Sequence, residues 1–420
     1  MAVYRLQNSI RKYSWGDPEL IPAFLGAENP SREPWAELWL GAHPKAPSMA
    51  LLPDGSLRSL GELVRESPEP MLGPGYAGAA DARLPFLFKL MAVAKPLSLQ
   101  AHPSAQAATR GFKREERSAL PLEAGERNYS DDRHKPELVV ALDRFEGLCG
   151  FRPIEEIIRN LKLLAGENWR SYAERLSLQP SRMELAVVFY SFCAASEAER
   201  ARLFKLVRPR LDRILADDRP GSPERRALGW VPRLMELYPN DMAALAPVMM
   251  NTFDLGPGQG LYVAPGQPHA YFRGCALEVM ANSDNEVRAG LTDKRRDLPE
   301  FLAILDFDDG APPILSASTA EAVDGSSLCA YDLDSDDFSL TAASLAGGRV
   351  TRDGRPGPEI ILCIEGTVAL IRRGPRAGDE PFVLHRGESL FVSADEPAYE
   401  LSGRGMAYIA AAGRGRRGCA

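Results

Sequence analysis

Cysteine is scarce and scattered. The six cysteines of this 420-residue chain, Cys149, Cys193, Cys275, Cys329, Cys363 and Cys419, form neither a CxxC pair nor a regular framework. That excludes a disulfide-stapled scaffold and suits a cytosolic enzyme with free thiols. Long apolar runs are missing too. Nothing approaches bilayer-spanning length, and the opening MAVYRLQNSIRKYSWG has no uninterrupted hydrophobic stretch of the signal-peptide kind. A soluble, cytoplasmic protein with no membrane partner is expected. Positive charge is in deficit, with 50 Lys and Arg against 57 Asp and Glu and a net charge of −7. Nucleic acid therefore exerts no long-range pull on the chain, although a local basic cleft could still collect a phosphorylated small molecule. No Gly-rich phosphate loop stands between a strand and a helix, which argues against a nucleotide fold. What is present, 45% hydrophobic residues over this length, supports a sizeable core and two or three domains.

The pattern changes twice along the chain. Residues 1–150 read as short strands joined by Gly and Pro turns, with little helical periodicity. From Ile154 the apolar residues Ile154, Ile157, Ile158, Leu161 and Leu164 share one face of a helix, behind Pro153 at its start. Helical character continues to about residue 250, and strand-and-turn patterning then resumes. The division expected is a first catalytic part at 1–150, a helical domain at 151–250, a second catalytic part at 251–325 and a last domain at 326–420.

A faint repeat joins the two β-rich regions. PGQGLYVAPGQPHAYF (257–272) lies over RGESLFVSADEPAYEL (386–401), matching Gly258 with Gly387, Leu261 with Leu390, Val263 with Val392 and Pro268 with Pro397. The repeat suggests two related β-sandwich domains. His269 falls opposite Ala398, so a metal site is expected only in the earlier one. The tail GRGRRGCA reads as frayed and solvent-exposed.

In KPLSLQAHP, Ser98, Gln100 and His102 alternate with Leu97, Leu99 and Ala101, which on a strand places the three polar side chains on one face. Gln100 and His102 could converge on a metal, with Glu137 and His269 as remote partners supplying oxygen and nitrogen. His43 and His134 are spare candidates for either imidazole. Lys89, Lys135, Arg288 and Lys294 offer positive charge for a phosphate, and Ser98 a hydroxyl.

At these residues the chain resembles the type I phosphomannose isomerase family. NSIRKYSWG, AELWLGAHP (36–44), PFLFKLMAVAKPLSLQAHP (85–103), DRHKPE (132–137) and EVMANSDNEVRAGLTDK (278–294) carry the resemblance in order over nearly the whole length. It implies that Gln100, His102, Glu137 and His269 hold one Zn2+ ion per chain. It also implies an active-site role for Arg288 and pocket roles for Trp15, Lys89, Ser98, Lys135, Glu278 and Lys294. The implied fold is mainly β with a helical insertion: a cupin-like β-sandwich (jelly-roll) catalytic domain, then a second, metal-free cupin-like domain at the C-terminus. The implied reaction interconverts mannose 6-phosphate and fructose 6-phosphate through an enediol-like intermediate, with a phosphorylated hexose as partner and a monomer as the working unit. Glu278 is the proposed proton shuttle, Lys135 the alternative if its pKa is lowered, and Ser98, Lys294 and Lys89 form the phosphate end. Two competing readings are a metal oxygenase on the same scaffold, which needs open positions at a redox metal, and a phosphosugar-binding protein without catalysis.

Overall fold

The computed structural model describes residues 3–78, 82–118, 127–216, 222–333, 335–355, 357–373 and 380–413. The basic tail beyond residue 413, with Cys419, lies outside them.

One strand organises the site. His269–Ala281 is long enough to serve two sets of neighbours. Its C-terminal half pairs antiparallel with Phe86–Val93 on one side and Glu137–Ala141 on the other. Its N-terminal end pairs instead with Phe145–Phe151 and, through His269, with Leu99–Ala101. The sheet then runs outward through Gln259–Val263 to Ile314–Ser316, and through Glu37–Leu40 to Ser9–Arg11. Phe86–Val93 is buried at every residue, as an apolar strand covered on both faces must be.

A second sheet is built from the C-terminal strands Phe338–Arg352, Glu359–Arg372, Ser389–Val392 and Tyr399–Ala412, and the chain's first strand, Val3–Gln7, pairs with Ser389–Val392. The faint repeat has a counterpart here. Val263 pairs with Glu137 in the first sheet, and Val392 pairs with Glu359 in the second. Gly258 and Gly387, which precede these strands, both hold positive φ (78° and 87°), a conformation that suits glycine.

Helices Ile154–Ala165, Arg170–Leu178, Arg182–Cys193 and Glu197–Leu215 follow the Phe145–Phe151 strand. Ile157, Leu161 and Leu164 are fully buried, together with Phe189 and Val207. The same core includes Leu99 and Ala101, the reverse face of the strand that carries Gln100. The helices therefore back the site directly. No helix among the described residues is long and apolar enough to cross a membrane.

Two expectations need correction. The fold is mixed α/β, with 30% helix and 35% strand, rather than a mainly β jelly roll with one helical insertion, and no sheet closes into a barrel. Alternation in a sequence tells which side chains face inward, whereas closure depends on strand tilt and stagger, which alternation does not encode. Helix also occurs within the first 150 residues. Ala105–Arg117 is capped by Ser104, whose hydroxyl accepts from Ala107 N at 3.3 Å. The helix is amphipathic, but its buried positions are Ala108, Gly111 and Glu115, small or polar residues rather than large aliphatics.

Candidate metal centre and substrate pocket

Strand register brings the proposed ligands together. Gln100 faces His269 across one ladder, and Glu137 opens the strand on the other side of the same central strand. His102, Glu137 and His269 are 0–1% exposed, and one ligand atom from each lies within 4.8 Å of the others. Among the described residues this is the one grouping of three or more His, Cys, Asp or Glu side chains able to hold a metal ion. His43 and His134 lie elsewhere. His43 Nε2 is 3.3 Å from Asp284, and His134 Nε2 is 2.9 Å from Asp337.

Both imidazoles are turned to present Nε2. The Asn285 carbonyl accepts from His102 Nδ1 at 2.7 Å, and the Gln267 carbonyl from His269 Nδ1 at 3.1 Å. These backbone acceptors hold a proton on Nδ1 and aim Nε2 of both rings into the cluster, where the Gln100 amide nitrogen lies 3.3 Å from His269 Nε2. His102 Nε2 is buried and makes no aligned hydrogen bond, although Glu137 Oε1 lies 3.0 Å away. Burial and the neighbouring His102 bring His269 down to about pKa 4, so it is a neutral ligand at physiological pH. Burial opposes charge on Glu137, but Lys135 and His102 outweigh it and hold the carboxyl well below its ordinary value. Two imidazoles and a carboxylate, with the Gln100 amide alongside, are a donor set that suits zinc.

Above these ligands opens a cavity of about 1100 Å³. Trp15, Lys89, Ser98, Gln100, Lys135, Glu137, Glu278, Arg288 and Lys294 all line it, while His102 and His269 lie beneath its floor. Lys89 Nζ reaches Glu278 Oε2 at 2.8 Å and Glu37 Oε1 at 3.7 Å, and sits 5.4 Å from the Trp39 ring centre. Burial pushes the Glu278 carboxyl up to about 7 in spite of Lys89. Lys135 Nζ lies 3.1 Å from Glu137 Oε1. Burial opposes its charge too, but Glu137 prevails and its pKa is raised, the reverse of the lowering that a lysine base would need.

The proposed phosphate residues are not all neighbours. Ser98 donates to Gln100 Oε1 at 2.9 Å, and Lys294 lies 5.5 Å from the ring of Tyr13, which stacks on Trp15. Lys89 belongs to the separate Glu278 and Glu37 set.

Several pocket groups escape a reading of the sequence. Tyr271 donates to Glu137 Oε2 at 3.3 Å, Trp39 donates to Glu37 at 2.8 Å, and Glu286 pairs with Arg288. Asn285 accepts from Ser130 N and Asp131 N and donates to the Arg133 carbonyl, tying down the segment that leads to Lys135. Of these, only the alternation of Glu37 and Trp39 in ELWL leaves a local trace.

Comparison with known proteins agrees with this geometry. Residues 3–154 match the phosphomannose isomerase type I catalytic domain. Mannose-6-phosphate isomerase of Escherichia coli is 35% identical over 401 residues, covering 96% of this chain and 97% of that protein. The human mannose-6-phosphate isomerase is 29% identical, covering 94% of each. A zinc-bound crystal structure of mannose 6-phosphate isomerase superimposes with a TM-score of 0.86 at 32% identity, over 98% of this chain and all of that one. A point variant of phosphomannose isomerase from Salmonella typhimurium gives 0.87. The chain belongs to the type I phosphomannose isomerase family.

Proposed function

We propose that this pocket interconverts mannose 6-phosphate and fructose 6-phosphate with one zinc ion held by His102, Glu137, His269 and Gln100. The observation that carries the reading is the buried His102, Glu137 and His269 cluster, with Nε2 of each imidazole turned into it, beside a charged cavity that Glu137 lines. Zinc bound there supplies Lewis-acid polarisation of the sugar oxygens.

The remaining work falls to side chains. Moving the carbonyl from C1 to C2 requires taking the proton from C2 and delivering one to C1, while the hydroxyl proton leaves the C2 oxygen and one is gained by the C1 oxygen. Glu278 is our assignment for that shuttle, because a carboxyl held near 7 can both accept and give back a proton at neutral pH. Lys89, 2.8 Å from Glu278, keeps the carboxylate oriented and places a cation beside the oxygens that gain charge in the enediol-like intermediate. Lys135, held protonated by Glu137, is assigned to charge stabilisation rather than to proton transfer. Ser98, Lys294 and Arg288 form the phosphate end, whose binding energy holds the reacting carbons in place, and Trp15 packs the wall beside them.

We further read the chain as a cytoplasmic monomer that engages neither nucleic acid nor membrane, in keeping with its charge of −7. We also read residues 1–150 and 251–325 as the two parts of one catalytic unit, with a helical domain at 151–250 and a C-terminal unit at 326–420 packed against the first sheet. The test of function is an anaerobic assay of fructose 6-phosphate formation from mannose 6-phosphate, before chelation, after it, and after zinc is restored. Activity lost and regained is the expected result. Oxygen-dependent turnover, or sugar binding without conversion in zinc-loaded protein, would overturn the assignment.

A further inference from the structure

Glu286 lines the substrate cavity but takes no part in the reaction described above. Its carboxylate pairs with Nη2 of Arg288, and its Oε1 lies 3.5 Å from the Ser98 hydroxyl. Burial disfavours its charge, but Arg288, Lys135, His102 and Lys294 outweigh that and hold its carboxyl below the ordinary value. It is therefore an anion at neutral pH. Arg288, meanwhile, keeps a buried Nε with no hydrogen-bond partner, an unused donor beside the pocket. The groups assigned to the substrate's phosphate thus already face an anion supplied by the chain itself. Carboxylate and phosphate oxygens make the same charge-assisted contacts with a guanidinium and repel each other at close range.

We propose that Glu286 is a built-in competitor for the anionic end of the substrate. In the free enzyme it holds the Arg288 guanidinium in place, with the Ser98 hydroxyl, which donates to Gln100, at its edge. On binding it yields that guanidinium to phosphate oxygens. A phosphosugar offsets the cost of displacing it through its contacts at the metal end of the cavity. A small free anion makes no such contacts and is turned away, so the carboxylate gives selectivity by repulsion. This rests on the assignment of Ser98, Lys294 and Arg288 to the phosphate end.

The experiment uses zinc-loaded enzyme and inorganic phosphate as the probe, with binding measured by calorimetry and KM and kcat measured for mannose 6-phosphate. Glu286→Gln keeps the shape and removes the charge. It is expected to tighten inorganic phosphate roughly tenfold, which corresponds to about 1.4 kcal/mol. KM should fall without a matching rise in kcat, because affinity gained equally by ground and transition state leaves kcat unchanged. Glu286→Asp, which retains the charge, should stay near the parent, and Glu286→Ala should follow the glutamine variant if that one folds poorly. If phosphate affinity is unchanged or weaker in both neutral variants while Lys294→Ala weakens it, the competitor role is wrong and the phosphate end stands. If Lys294→Ala and Ser98→Ala also leave phosphate affinity untouched, the phosphate-end assignment fails and takes this inference with it.

Discussion

Burial acts on Glu278 and Lys135 alike, yet the two residues end with different charges because their partners differ. Glu278 is raised to about 7 by desolvation that Lys89 does not cancel. Lys135 remains an ammonium because Glu137 stands 3.1 Å away. A carboxyl with a raised pKa is a base only above that value, so kcat/KM should rise with pH on an acid limb set by Glu278. Zinc's own positive charge draws that limb to about pH 7 or below. Glu278→Gln should abolish the limb and lower kcat by roughly 10²–10⁴-fold, the usual contribution of a positioned acid or base. An unchanged pH profile in that variant would move the shuttle elsewhere. At this scale the sequence is partly readable. Ser98, Gln100 and His102 alternate in one short stretch, so their common face is visible locally. Tyr271 reaches Glu137, and Glu286 reaches the Ser98 hydroxyl, from far away in sequence, whereas Arg288 stands only two residues from Glu286.

The central strand His269–Ala281 carries a ligand at one end and Glu278 near the other, and it changes partners at a bulge between them. Gly274 sits at that bulge with φ of 117°, and the ladder beside it slips between Tyr271 and Arg273. A Cβ at Gly274 would overlap the Arg144 carbonyl oxygen, a backbone atom that cannot turn aside. Gly274→Ala should therefore destabilise the fold by about 1–3 kcal/mol, read as a lower denaturant midpoint, and should weaken zinc binding in the same protein. An unaltered midpoint would show that the bulge does not depend on glycine. The helix at Ile154–Ala165 declares itself through large aliphatics at helical spacing, whereas the amphipathic Ala105–Arg117 buries only Ala108, Gly111 and Glu115. The latter is held by Glu115, whose buried carboxylate accepts from Asn128 N and Tyr129 N, long-range contacts that no periodicity announces.

Across the whole molecule, the two sheets share a core. Phe88, Leu138 and Leu277 from the catalytic sheet pack in one buried cluster with Tyr331, Phe338, Ile360 and Tyr408 from the C-terminal strands. Tyr331 also donates to the Gly258 carbonyl at 2.7 Å, and Tyr76 to the Gly413 carbonyl at 2.8 Å. A chain ending at residue 325 should expose that face and aggregate, or bind a hydrophobic dye with broadened tertiary signals. A monodisperse, zinc-binding fragment would instead show that the C-terminal strands are dispensable for folding. The family was legible because its long motifs are local properties of the chain, and the resemblance they carry named His102, Glu137 and His269, which the fold gathers into one cluster. The alternation of apolar residues likewise fixed which side chains face inward. Whether sheet edges close, how one strand is shared between two pairings, and how the Glu286 and Arg288 pair comes to lie beside Ser98 were decided only by tertiary structure, because each depends on groups far apart in sequence coming within a few ångströms.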